Sequence, residues 1–121
     1  MEPMSEVSVA AASLSHPVAP DQQRLDTATE TFRMLADTTR LHILWLLTRG
    51  EADVTALIEQ TGATRTAVSQ HLAKLRFTGL VDTRKEGRRV IYRIHDGHLT
   101  RLILEGINHA DHVVTGEPPH E

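Results

Sequence analysis

From Asp21 onward, apolar residues return at helical spacing. Leu25, Ala28, Phe32 and Leu35 mark a first helix over residues 21–36, and Asp21 after Pro20 is a suitable start. Asp37 can cap a second helix that runs through Arg49 and stops at Gly50. Its apolar residues Leu41, Ile43, Leu44, Trp45, Leu46 and Leu47 cover much of the circumference, so it should be central, with Trp45 in the core. Asp53 can cap a short third helix, Val54 to Thr61, stopped by Gly62. Thr64 can cap a fourth helix that reaches Thr78 and stops at Gly79. In that helix Val68, Leu72 and Leu75 repeat at i, i+4, i+7 and must face inward, leaving Thr66, Ser69, Gln70 and Ala73 outward.

The period then changes. Val90, Tyr92 and Ile94 alternate with Arg89, Ile91 and Arg93, which predicts a strand over Arg89 to Ile94. A weaker alternation covers Leu80 to Arg84, and Lys85-Glu86-Gly87-Arg88 reads as the turn between them. Asp96 can cap a last helix through about Val114. Leu99, Leu102, Ile103, Ile107, Ala110, Val113 and Val114 give it an apolar face suited to dimerisation. Residues 1–20, rich in Ala, Ser, Val and Pro, read as a disordered arm, and residues 115–121 as a flexible tail with Gly116, Pro118 and Pro119. The folded domain is expected over 21–114.

Two short helices joined by Gly62-Ala63-Thr64 form a helix-turn-helix, and a hairpin directly after it is a wing. The expected fold is therefore mainly α with a small β-hairpin: a winged helix-turn-helix of five helices. Aromatic residues make up only 3% of the 121, so aliphatic side chains must fill a modest core. That favours an oligomer, read here as a homodimer through the first and last helices.

Charge sharpens the picture. The chain carries −3 overall, yet residues 64–93 hold eight Lys or Arg against two acids, Asp82 and Glu86, a local +6. A basic segment in an acidic chain suggests a footprint for phosphate. Ser and Gln can read base edges where bulk would block approach, so Thr66, Ser69 and Gln70 are candidate major-groove contacts, with Lys74 beside them. Arg88 and Arg89 of the wing would lie along a phosphate backbone or in a minor groove. The expected partner is a double-stranded DNA operator.

Composition also excludes. With no cysteine there are no disulfides, thiolate metal sites or cysteine nucleophiles. No apolar run approaches a membrane span, and residues 1–20 lack a signal peptide's pattern, so a cytoplasmic protein is expected. No phosphate loop, dinucleotide glycine motif or nucleophile elbow occurs, and the chain is not expected to be an enzyme. An accessory protein is left open, since the sequence names none.

The last helix carries the metal-ligating chemistry. It holds Asp96-x-His98 at one end and His109-x-x-His112 at the other. His109 and His112 sit one turn apart, and His98 shares their face, since 11 residues are three turns plus about 20°. Yet those 11 residues separate His98 from His109 by about 16 Å along the axis, and metal–imidazole bonds are about 2 Å. One straight helix cannot gather both pairs around one ion. Two antiparallel copies, related by a two-fold axis near Leu104, can: Asp96 and His98 of one then face His109 and His112 of the other, giving two equal sites. One carboxylate oxygen and three imidazole nitrogens suit zinc, cobalt or nickel and not calcium or copper(I).

These residues resemble the ArsR/SmtB family of winged-helix metal-sensing repressors. LADTTRLHILWLL (35–47) resembles its second-helix signature, TAVSQHLAKLRFTGLV (66–81) its recognition helix and EGRRVIYRI (86–94) its wing. The resemblance spans residues 22–114. It implies that the cysteine site found on the third helix of some members is absent here. It also implies a last-helix site on Asp96, His98, His109 and His112, sensing zinc or nickel/cobalt, with the metal acting as inducer. A tetrahedral set suits zinc or cobalt, whereas nickel often takes more ligands; His16, His120 or the N-terminal amine would complete them. His42, His71 and His95 read as packed or surface side chains, and Glu105 as an interface residue or an acceptor behind a ligand. The alternative is a winged-helix DNA-binding regulator that senses no metal.

Overall fold

The computed structural model describes residues 18–116. The chain divides into two compact units, residues 1–30 and 31–121. The expected arm, apart from residues 18–20, and the tail beyond Gly116 lie outside the described residues, as do His16 and His120.

Five helices and two strands make up the described residues: α1 (Gln22–Leu35), α2 (Thr38–Arg49), α3 (Val54–Thr61), α4 (Arg65–Phe77), β1 (Asp82–Glu86), β2 (Arg89–Arg93) and α5 (Gly97–Thr115). Side-chain caps fix where they start. Asp21, Asp37, Asp53, Thr64 and Asp96 accept hydrogen bonds from the backbone N–H groups of Arg24, Arg40, Ala56, Ala67 and His98, each at 2.8–3.1 Å. Gly62 ends α3 with φ +74°, a left-handed backbone that a residue with a Cβ adopts only at a cost. The helix-turn-helix thus takes its corner from one glycine and its second start from Thr64.

The core of the larger unit is aliphatic. Ile43, Leu44 and Leu47 of α2 meet Leu57, Val68, Leu72, Leu75, Val81, Leu99 and Ile103. Val68, Leu72 and Leu75 are fully buried, as their spacing requires. Trp45 only packs against the edge of this core, with the Arg49 guanidinium 5.3 Å from its ring centroid.

The hairpin departs from expectation. β1 runs on through Lys85 and Glu86, pairing Glu86 with Arg89, so only Gly87 and Arg88 form the turn. Gly87 has φ +65°, and among the described residues no non-glycine has a positive φ, the pattern of a type II′ turn with glycine first. Polarity suggested a four-residue turn; here the polar residues are exposed strand positions. A further contact joins the wing to the linker before α3: Ala52 and Tyr92 exchange two backbone hydrogen bonds of 3.1 and 2.8 Å.

Candidate nucleic-acid interface and metal centre

α4 is two-sided. Its inner stripe locks it into the core, while Thr66, Ser69, Gln70, Ala73 and Lys74 are all exposed. Three ties set its position. Arg65 donates to the Thr55 hydroxyl at 3.2 Å, joining the two helices of the motif. At the other side His71 lies half-buried, with Nε2 3.7 Å from the Asp37 carboxylate and Nδ1 3.5 Å from the Arg40 guanidinium. Arg40 also donates to the Met34 carbonyl at 2.9 Å, so the end of α1, the start of α2 and α4 meet at one side chain. The Arg40 backbone N–H and, less strongly, His71 hold the Asp37 carboxyl below its ordinary 3.8.

On the wing the basic residues divide into two groups. Arg89 lies on two carboxylates, Asp53 Oδ2 at 2.9 Å and Glu86 Oε1 at 3.0 Å. Arg84 holds Glu51 at 2.9 Å and Glu86 at 3.2 Å, and Arg93 holds Asp82 at 2.8 Å. Lys85 and Arg88 of the wing, like Lys74 and Arg76 of α4, have no side-chain partner among the described residues and are exposed. Both Arg88 and Arg89 are exposed, as expected, but only Arg88 has an uncommitted guanidinium.

Three of the expected metal ligands, His98, His109 and His112, lie on α5, and the fourth, Asp96, is its N-cap. Asp96 Oδ1 accepts the His98 N–H at 2.8 Å as the helix cap, and Oδ2 has no partner among the described residues. Capping and ligation therefore need not compete. Asp96, His98 and His109 are exposed; His112 is half-buried. His98 Nδ1 stands 3.0 Å from Arg101 Nη2. Since a guanidinium only donates, Nδ1 accepts and the ring proton sits on Nε2. Within one chain the two pairs stay apart: among the described residues no three His, Asp or Glu side chains are placed to hold one ion.

α5 also has two apolar faces rather than the single stripe expected. Leu99 and Ile103 enter the chain's own core, while Leu104, Ile107, Val113 and Val114 are exposed. A groove of about 390 Å³ lies along α5, lined by Phe32, Leu35, Leu41, Leu102, Ile103 and His109 among others.

With this geometry in place, comparison with known proteins is direct. Residues 37–83 match the family model described as "Bacterial regulatory protein, arsR family". Over 101 residues the chain is 44% identical to the HTH-type transcriptional regulator KmtR of Mycobacterium tuberculosis, covering 84% of this chain and 77% of that protein. The chain belongs to the ArsR family. Similarity to the HTH-type transcriptional regulator NmtR of the same organism is 38% over 103 residues, covering 84% and 86% of the two chains. Among solved structures, it resembles the homodimeric winged helix-turn-helix DNA-binding domain of a possible ArsR-family transcriptional regulator from Mycobacterium bovis. That likeness has a TM-score of 0.69 at 33% identity and covers 98% of this chain and 100% of that one.

This ArsR-family chain is a DNA-binding transcriptional regulator and not an enzyme. Its α3–α4 pair is the helix-turn-helix and its hairpin the wing. What sequence reasoning missed in this ArsR fold is the set of contacts between wing and linker. Glu51 and Asp53 sit 33 and 36 residues from Arg84 and Arg89, and nothing local pairs them. No helix among the described residues is long and apolar enough to cross a membrane.

Proposed function

We propose that the protein is a homodimeric, metal-responsive repressor whose affinity for an inverted-repeat operator depends on a divalent transition-metal ion held between two copies of α5. The observation that carries this reading is the layout of α5. It presents Asp96 and His98 at one end and His109 and His112 at the other, beside an apolar groove that its own chain leaves open. A second copy laid antiparallel covers the groove and brings the complementary pair to each end. That the M. bovis relative is a homodimer supports assembly of this chain into a pair.

The donor set fits zinc, nickel or cobalt: one carboxylate oxygen and three imidazole nitrogens, with no thiolate. Asp96 contributes Oδ2 while Oδ1 keeps the cap. Bound there, the ion supplies a cross-link between protomers. On the DNA side Thr66, Ser69, Gln70 and Lys74 enter the major groove and Arg88 meets phosphate beside it. Two α4 helices must then be spaced by about 34 Å to reach successive major grooves. The cross-linked geometry favours one spacing over another, which is how ligation at α5 reaches α4.

Titration of fluorescent operator duplex with dimer, with and without Ni(II) or Zn(II), tests this. Metal should lower operator affinity roughly 5- to 150-fold, and operator should lower metal affinity by the same factor. Equal operator affinity in both states would leave the ion no regulatory role.

A further inference from the structure

Every residue of the tripeptide Glu51-Ala52-Asp53 touches the wing, and Glu51 reaches Arg93 at 3.9 Å as well as Arg84. Ala52 pairs with Tyr92 through two backbone bonds. On one side Glu51 takes Arg84 at 2.9 Å; on the other Asp53 takes Arg89 at 2.9 Å. Glu86 of β1 then bridges Arg84 and Arg89 at 3.2 and 3.0 Å, closing the set. Asp53 does two jobs at once. Its Oδ1 caps α3 through the Ala56 N–H at 2.9 Å, while Oδ2 receives the Arg89 guanidinium. The first residue of the helix-turn-helix and the wing are therefore joined through one carboxyl group.

We infer that Glu51, Asp53 and Arg89 form a clamp that sets the angle of the wing against the helix-turn-helix, and that Arg89 is a positioning residue rather than a phosphate contact. The inference rests on the reading that the wing meets phosphate. Arg89 already shares its charge with two carboxylates, and reaching DNA would require it to leave both. Arg88 and Lys85 have no such commitment and occupy the turn and the strand beside it. The clamp's role is to hold those two cations at a fixed distance from Thr66, Ser69 and Gln70, so that base-reading and phosphate binding are achieved together.

Salt dependence separates a phosphate ligand from a support. Each phosphate that a cation ceases to neutralise flattens the slope of log K against log salt by about 0.9. The probe is one duplex selected from a random-sequence pool by the wild-type dimer. Asp53→Asn keeps a good helix cap while removing the ion pair, so the fold should be retained, which thermal unfolding of the variant checks. Arg88→Gln should flatten the slope by about 0.9 for each phosphate that Arg88 neutralises. Asp53→Asn and Arg89→Gln should each lower affinity roughly two- to fivefold with the wild-type slope, and the double variant should be no weaker than either single one. A flattened slope for Arg89→Gln, losses that multiply in the double variant, or unchanged affinity in both singles would overturn the clamp. An unchanged slope for Arg88→Gln would instead remove the wing's hold on phosphate itself, and the clamp's purpose with it.

Discussion

Arg101 occupies the position that a metal ion would contest. Its guanidinium, 3.0 Å from His98 Nδ1, is a cation resting on a prospective ligand. Ligation through Nε2 would move the ring proton onto Nδ1, where Arg101 can no longer donate; ligation through Nδ1 would displace it outright. In either case binding must break this hydrogen bond. Arg101→Gln should therefore raise affinity for Zn(II) or Ni(II) by about three- to tenfold, as read by competition with a chromophoric chelator. Weaker binding in the variant would show that Arg101 supports the site instead of opposing it. His71 is the opposite case. Its sequence position suggested only a packed or surface histidine, yet it stands between Asp37 and Arg40 where three helices meet.

At the level of the element, the helix starts decide most of the architecture, and their carboxylates carry a pH signature. The Ala56 N–H and then Arg89 hold Asp53 below its ordinary 3.8, the Arg40 N–H does the same for Asp37, and at the start of β1 Arg93 does so for Asp82. A carboxyl depressed on folding adds stability above its unfolded value and loses it as pH falls through the folded one. Urea midpoints should thus be insensitive to these groups from about pH 5 upward and decline below about pH 4. The decline should be shallower in Asp53→Asn; an identical acid profile would mean the cap and clamp of Asp53 contribute nothing.

The same caps explain why so much was legible. Asp37, Asp53, Thr64 and Asp96 each precede an apolar period, and a cap is a local device that needs no knowledge of the fold. Val68, Leu72 and Leu75 announced the buried side of α4, and so its exposed face. The wing's turn was misplaced because Arg84, Lys85 and Glu86 are strand residues with no apolar alternation to mark them. The stripe of α5 read as one face because spacing cannot distinguish a residue buried by its own chain, such as Ile103, from one left for a partner, such as Ile107. The ion pairs of the clamp were invisible for a related reason: any of several acids could have met any of eight basic residues, and only the path of the chain selects among them.

For the whole molecule, the proposed site exists only between chains. Each protomer holds half of two sites, so the halves can be damaged separately. One chain carrying Asp96→Ala and His98→Ala, and another carrying His109→Ala and His112→Ala, should each form homodimers without tight metal binding. The mixed dimer places intact Asp96 and His98 of one chain opposite intact His109 and His112 of the other, and loses both halves of the second site. Co-expressing the two chains with different affinity tags, isolating the mixed dimer and measuring bound Zn(II) or Ni(II) is the direct test. The account predicts one tightly held ion per mixed dimer and none in either homodimer. No tight binding in the mixed dimer, or retention of metal by either homodimer, would contradict a site shared between twin last helices.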